Sequence, residues 1–176
     1  MKKYTLFIIF AVIAATMCSC SSRKSPIKTF VMPCTDCVKS ENSIRVWASG
    51  TSDSETSARK KAMVTASAEL AERLSKTVET VTENYTSALN DGNEGKSKSF
   101  LSEKSKIAAK QVLEGASIIC DEWVKDENGQ YTNYIVLELK GNDFIKALLK
   151  EVNNEQKIDE ELLKTLFMKN IQEMNK

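Results

Sequence analysis

Five cysteines and no histidine set the range of chemistry open to this 176-residue chain. Lacking histidine, it has no side chain that titrates near neutral pH by default, no usual orienting partner for a nucleophilic Ser or Cys, and not the commonest transition-metal ligand. The thiols come next. Pro33-Cys34-Thr35-Asp36-Cys37 contains a C-x-x-C, a spacing that suits a redox pair, half of a zinc site or a small structural disulfide. Zinc lacks partners, because Cys120 is the one other thiol downstream. A thioredoxin-like pair opens a helix that follows a strand, so that the helix terminus lowers the thiol pKa. Cys34 and Cys37 instead precede the first strand, in an irregular stretch. The expectation is a structural or partly oxidised Cys34/Cys37 pair, with redox or disulfide handling as the alternative. Cys120 lies in an apolar run and reads as a buried small hydrophobe. Among the carboxylates, Asp121 and Glu122 stand beside Trp123, and paired acids can perform acid and base work. Adjacent strand residues point to opposite faces, however, so these two are expected to be a solvated strand end.

The other two cysteines belong to a leader. Met1-Lys2-Lys3 is basic, Tyr4 to Ala15 is almost wholly apolar, and small and polar residues follow from Thr16, the three-part pattern of an export signal. Its roughly 12 apolar residues fall short of the ~20 that a bilayer core requires. Met17-Cys18-Ser19-Cys20-Ser21-Ser22 resembles a bacterial lipoprotein processing box, in which a small residue precedes a cysteine that is lipidated and becomes the new N-terminus. Cys20 fits, with small Ser19 before it, whereas Cys18 follows bulky Met17. Lipidation of Cys20 attaches the chain to a membrane without a spanning helix. By resemblance to Gram-negative lipoproteins, Ser21 in place of aspartate favours the outer membrane. Residues 1–19 are thus an expected signal peptide, and 20–42 a lipidated tether carrying the C-x-x-C.

The remaining bulk matches one ordinary domain, with 41% hydrophobic residues. The leader holds two of the 25 basic residues, leaving 23 against 24 acidic ones, about −1. A near-neutral chain without basic clusters gives no reason to expect nucleic acid, and no cofactor is called for.

The elements that must position these groups follow from periodicity. Ser43 to Gly50 predicts a strand with Ile44, Val46 and Ala48 on one face and Arg45, Trp47 and Ser49 on the other. Ser52-Asp53-Ser54-Glu55 has capping-box spacing for a helix running to about Tyr85. Its apolar stripe is Ala58, Ala62, Ala66, Leu70, Leu74, Val78, Val81 and Tyr85. Asn90 to Gly95 is a breaker cluster. A second helix, from about Ser97 to Glu114, carries Phe100, Leu101, Ile107, Ala108 and Val112 near one face, and Gly115 ends it. Strands follow at Ser117–Lys125 and Tyr131–Lys140, joined through Asn128-Gly129. Gly141-Asn142-Asp143 is expected to cap a helix from Phe144 to Val152. A terminal helix over 158–174 turns Ile158, Leu162, Leu166 and Phe167 toward a partner surface, expected to be the domain's own. The implied fold class is α+β, a small, mainly antiparallel three-stranded sheet with long helices packed on one face, in the order β-α-α-β-β-α-α. The domain is expected over 43–152, with 153–176 a C-terminal amphipathic segment.

Ile44-Arg45-Val46-Trp47-Ala48-Ser49-Gly50, followed by Ala58-Arg59-Lys60-Lys61-Ala62, Ala66, Leu70-Ala71 and Leu74, resembles the LPP-twenty lipoprotein family. That family has a strand ending in glycine and then a helix with A-R-x-x-A spacing. Leu113-Glu114-Gly115-Ala116 and the Asn128-Gly129 hairpin match in order, so the resemblance covers Ile44 to Leu149. It implies a small α+β domain on an envelope lipoprotein, and it offers no settled enzymatic activity and no active-site residue to carry over.

The expected function is therefore a membrane-anchored envelope lipoprotein whose domain binds or scaffolds an envelope protein, and which is not an enzyme. A carboxylate-dependent envelope enzyme is a further alternative. Trp47, an aromatic on the less apolar face of the first strand, is the first candidate for a contact surface. A three-stranded sheet with an exposed edge also leaves a homodimer open.

Overall fold

A computed structural model describes residues 32–89, 94–152 and 158–175. The expected signal peptide, Cys20 and the tether as far as residue 31 lie outside the described residues. After a single 3-10 turn at Thr35–Cys37, the chain forms β1 (Ser43–Ser52), α1 (Glu55–Leu89), α2 (Glu94–Glu114), β2 (Ser117–Lys125), β3 (Tyr131–Lys140), α3 (Gly141–Val152) and α4 (Glu160–Met174). The α+β class and the order of elements are those the periodicity predicts.

The sheet is antiparallel throughout, with β3 in the centre and β1 and β2 at the edges. On one face, Ile44, Val46 and Ala48 of β1 and Ile135, Leu137 and Leu139 of β3 are all buried. They meet the stripe Ala58, Ala62, Ala66, Leu70 and Leu74 of α1. Small residues come first in that stripe because the crossing is tight at its start. A Cβ on Gly50 would collide with the Ala58 carbonyl and sit 2.5 Å from the Ala62 amide nitrogen. The glycine that ends the predicted strand and the two alanines spaced four apart are therefore the two sides of one strand–helix contact.

Helices α2 and α4 pack along α1, and α3 packs against both. Phe144 of α3 stacks on Phe167 of α4 with centroids 4.6 Å apart, and Asp159 caps α4 by accepting the Leu162 amide at 3.0 Å. The terminal helix thus docks on its own domain.

Several local expectations are corrected. The first bond of α1 is accepted by the Ser54 carbonyl from Ala58 N at 2.9 Å, while the Ser52 hydroxyl turns to the Asp53 carboxylate at 3.0 Å. The helix start lies two residues past the expected cap. Helix α2 already includes Glu94 and Gly95, and α3 begins at Gly141 directly after β3. In α2 the buried positions are Leu101, Ser105 and Ala108, and Ile107 is 41% exposed. The stripe through 101, 105 and 108 leaves position 107 about 100° off its line. In α4 the expected Phe167 is buried, together with Leu163 and Ile171, while Ile158, Leu162 and Leu166 are partly buried and pack against the same core.

Candidate functional site

The second face of the sheet is covered by residues 32–42, a strap that precedes β1. Three kinds of contact hold it to side chains of the sheet. The first is covalent: Cys34 is disulfide-bonded to Cys120 of β2, with a Cα–Cα separation of 5.8 Å. The second is an aromatic hydrogen bond, in which Trp47 Nε1 of β1 donates to the Pro33 carbonyl at 2.9 Å. The third is a guanidinium clamp. Arg45 donates to the carbonyls of Cys37 at 3.0 Å and Lys39 at 2.8 Å, and pairs with Glu138 of β3 at 2.7 Å.

The sheet's register explains why these groups meet. Arg45 lies directly opposite Glu138, Trp47 opposite Val136, and Cys120 also opposite Val136, so all of them project from the face away from the helices. Glu138 holds one part of the planar guanidinium, leaving its other donors for strap carbonyls. Val136 is 0% exposed on this face, since the strap shields it from water. At its far end the strap meets two helix ends: Asn175 Nδ2, just past α4, donates to the Ser40 carbonyl at 2.6 Å, and Gly141 N, which opens α3, donates to the Asn42 carbonyl at 2.9 Å.

This arrangement overturns the expected Cys34/Cys37 pairing. Cys34 bonds to Cys120, and Cys37 is a half-buried free thiol. The main-chain bond Cys37 N to Cys34 O, 3.2 Å, closes the 3-10 turn, with Cys34 in the left-handed region at φ 65°. Cys120 is correspondingly a cross-linked, half-buried residue and not an isolated core hydrophobe. Trp47 is half-buried, with its indole nitrogen on Pro33 and its ring 5.8 Å from that of Tyr134.

The acidic residues separate as strand geometry requires. Asp121 turns to the helix face, where it accepts from Asn133 Nδ2 at 2.6 Å and pairs with Arg59 at 2.8 Å. Glu122 turns to the strap face, opposite Tyr134. Ligand atoms of Cys34, Cys120 and Glu122 lie within 4.8 Å of one another. With the two sulfurs joined as a disulfide, neither is the thiolate that a metal requires, so the oxidised cluster does not fit a metal.

Neither the Arg45 clamp nor the pairing of Cys120 with Cys34 is among the expectations drawn from the sequence. A signal for Arg45 was present: it sits within the strand on the face carrying Trp47, where a half-buried arginine needs acceptors. Among the described residues, no helix is long and apolar enough to cross a membrane. Comparison with protein-family models, with curated proteins and with solved structures finds no match to this chain.

Proposed function

We propose that the chain is an envelope lipoprotein, anchored through acylated Cys20, whose folded domain is a binding or scaffold unit and not an enzyme. The observation that carries this reading is the N-terminal pattern itself: basic start, short apolar run, then Ser19-Cys20-Ser21. The resemblance to the LPP-twenty family supports it, as does Ser21 for an outer-membrane destination. The strap fits the same reading physically. A chain tethered by its N-terminus transmits any load into the domain at residue 32, and two positions later Cys34 is covalently joined to β2. Structural disulfides persist in oxidising compartments outside the cytosol.

The partner on this reading is an envelope protein held close to the membrane. The test is fractionation with mild crosslinking. Native chain should pellet with membranes and capture a specific partner in detergent extracts, and Cys20→Ser should lose both. A native chain that stays in the soluble fraction would contradict the proposal.

A redox or disulfide-handling role is the second reading, favoured by the free Cys37 three residues from the bonded Cys34. It requires Cys37 to exchange with a partner thiol, so Cys37→Ser must abolish the protein's phenotype while the fold persists.

A further inference from the structure

The two outer strands of the sheet are treated differently. On β1, three main-chain carbonyls are occupied by side-chain donors: Ser43 by Asn175 Nδ2 at 3.2 Å, Arg45 by Arg73 at 3.2 Å, and Thr51 by Lys61 Nζ at 2.9 Å. All three are odd-numbered positions, and alternate residues of a strand direct their main-chain groups to the same edge. The free edge of β1 is thus capped by cationic and amide side chains, a device that stops a further strand from adding.

Among the described residues, the side-chain donor that reaches the main chain of β2 comes from inside the sheet: Asn133 Nδ2 of β3, on the Glu122 carbonyl at 3.2 Å. Glu122 therefore faces β3, and the main-chain groups of Asp121, Trp123 and Lys125 face outward. A bulge between Ile118 and Cys120 breaks the ladder, which leaves the regular edge at residues 121–125. The same strand carries exposed apolar surface. Trp123 is 41% exposed and Ile118 38%, because α1 packs on β1 and β3 and meets β2 at the Arg59–Asp121 pair.

We propose that β2 is a homodimer interface, in which two copies pair β2 antiparallel to β2 about Trp123 and join two three-stranded sheets into one. The occupant is argued from the segment Asp121-Glu122-Trp123-Val124-Lys125. Centred on Trp123, it sets Asp121 opposite Lys125 of the partner subunit, Lys125 opposite Asp121 of the partner subunit, and the two tryptophans side by side. Opposite charges directly across strands stabilise pairing, as does an aromatic pair. The outward-facing residues 121, 123 and 125 are the ones that exchange main-chain hydrogen bonds in this register, and a shift by two residues loses both charge pairs. Charges on an edge deter indiscriminate pairing. Here their order accepts a copy of itself. The interface is independent of whether Cys20 is acylated.

The test uses the full chain, purified from membranes in density-matched detergent, and measures its mass by sedimentation. Native protein should be dimeric, and Trp123→Lys, which places two like charges across the two-fold axis, should halve the mass while keeping the Cys34–Cys120 bond and the circular dichroism of the fold. Independently, Trp123→Cys in a Cys37→Ser background should crosslink to a dimer under mild oxidation. Val64→Cys, on the outer side of α1 at 62% exposure, should not. A monomeric native chain, a Trp123→Lys variant that stays dimeric, or crosslinking no stronger at 123 than at 64 would each overturn the proposal.

Discussion

Cys34 and Cys120 are bonded to each other across a sequence separation of 86, so the N-terminal strap is locked to the edge strand farthest from the one it leads into. Closing a loop of that size removes unfolded-state entropy worth up to about 4–5 kcal/mol by the chain-entropy account, and measured values usually fall at about 2–4 kcal/mol. Reduction, or Cys34→Ser, should therefore lower the unfolding free energy by about 2–4 kcal/mol in urea titrations. Cys37→Ser should stay within about 0.5 kcal/mol of native. The reverse pattern, with Cys37 as the costly position, would restore the C-x-x-C pairing.

The strand–helix crossing gives a sharper contrast between two glycines. Gly50→Ala places a methyl against the Ala58 carbonyl and the Ala62 amide, where the neighbours are backbone and cannot turn aside. It should destabilise by about 1–3 kcal/mol. At Gly95, within α2, a Cβ meets nothing within 4 Å, and Gly95→Ala should stabilise by up to about 1 kcal/mol. Thermal or urea midpoints of both variants check the pair, and equal midpoints would show that the close approach at Gly50 carries no weight.

These contacts also show what could be read from the sequence and what could not. Helices and strands announce themselves through local periodicity, which is why β1, β2 and β3 and the stripe of α1 were legible. The pairing of three thiols is a tertiary matter. It depends on where residues 32–42 lie, and that segment has neither periodicity nor apolar content to reveal it. Val136 illustrates the difference: alternation places it opposite Ile135 and Leu137, yet it is buried too, because the strap supplies a second layer. Ile107, 41% exposed, departs for a simpler reason. An apolar residue 100° from a helix's true stripe cannot be told from a core residue until the partner surface is known. Trp47 was legible as an unusual aromatic, but its hydrogen bond to Pro33 was not.

Tyr85 supplies a pH dependence. It is 2% exposed, and its hydroxyl oxygen accepts the Asp159 amide at 2.8 Å beside the start of α4. Burial pushes its phenol above the ordinary value, opposed by that hydrogen bond and reinforced by the Asp159 carboxylate. A raised folded-state value means that the folded protein holds the proton more tightly than the unfolded chain. The contribution is therefore fully present below about pH 10 and is lost as pH rises through the folded value. Tyr85→Phe should cost about 1 kcal/mol at neutral pH and flatten the loss of stability above pH 10, as measured by urea unfolding at neutral and alkaline pH. An unchanged alkaline slope would place that dependence elsewhere.

The lipoprotein reading depends on Cys20, and its most direct test is the intact mass of the protein purified from a membrane fraction, native beside Cys20→Ser. The prediction is a native chain that begins at residue 20 and carries acyl groups, both features being lost in the variant. A chain cut elsewhere and bearing no acyl group would contradict the lipoprotein reading and leave the strap and its disulfide as the N-terminal end of an unanchored domain.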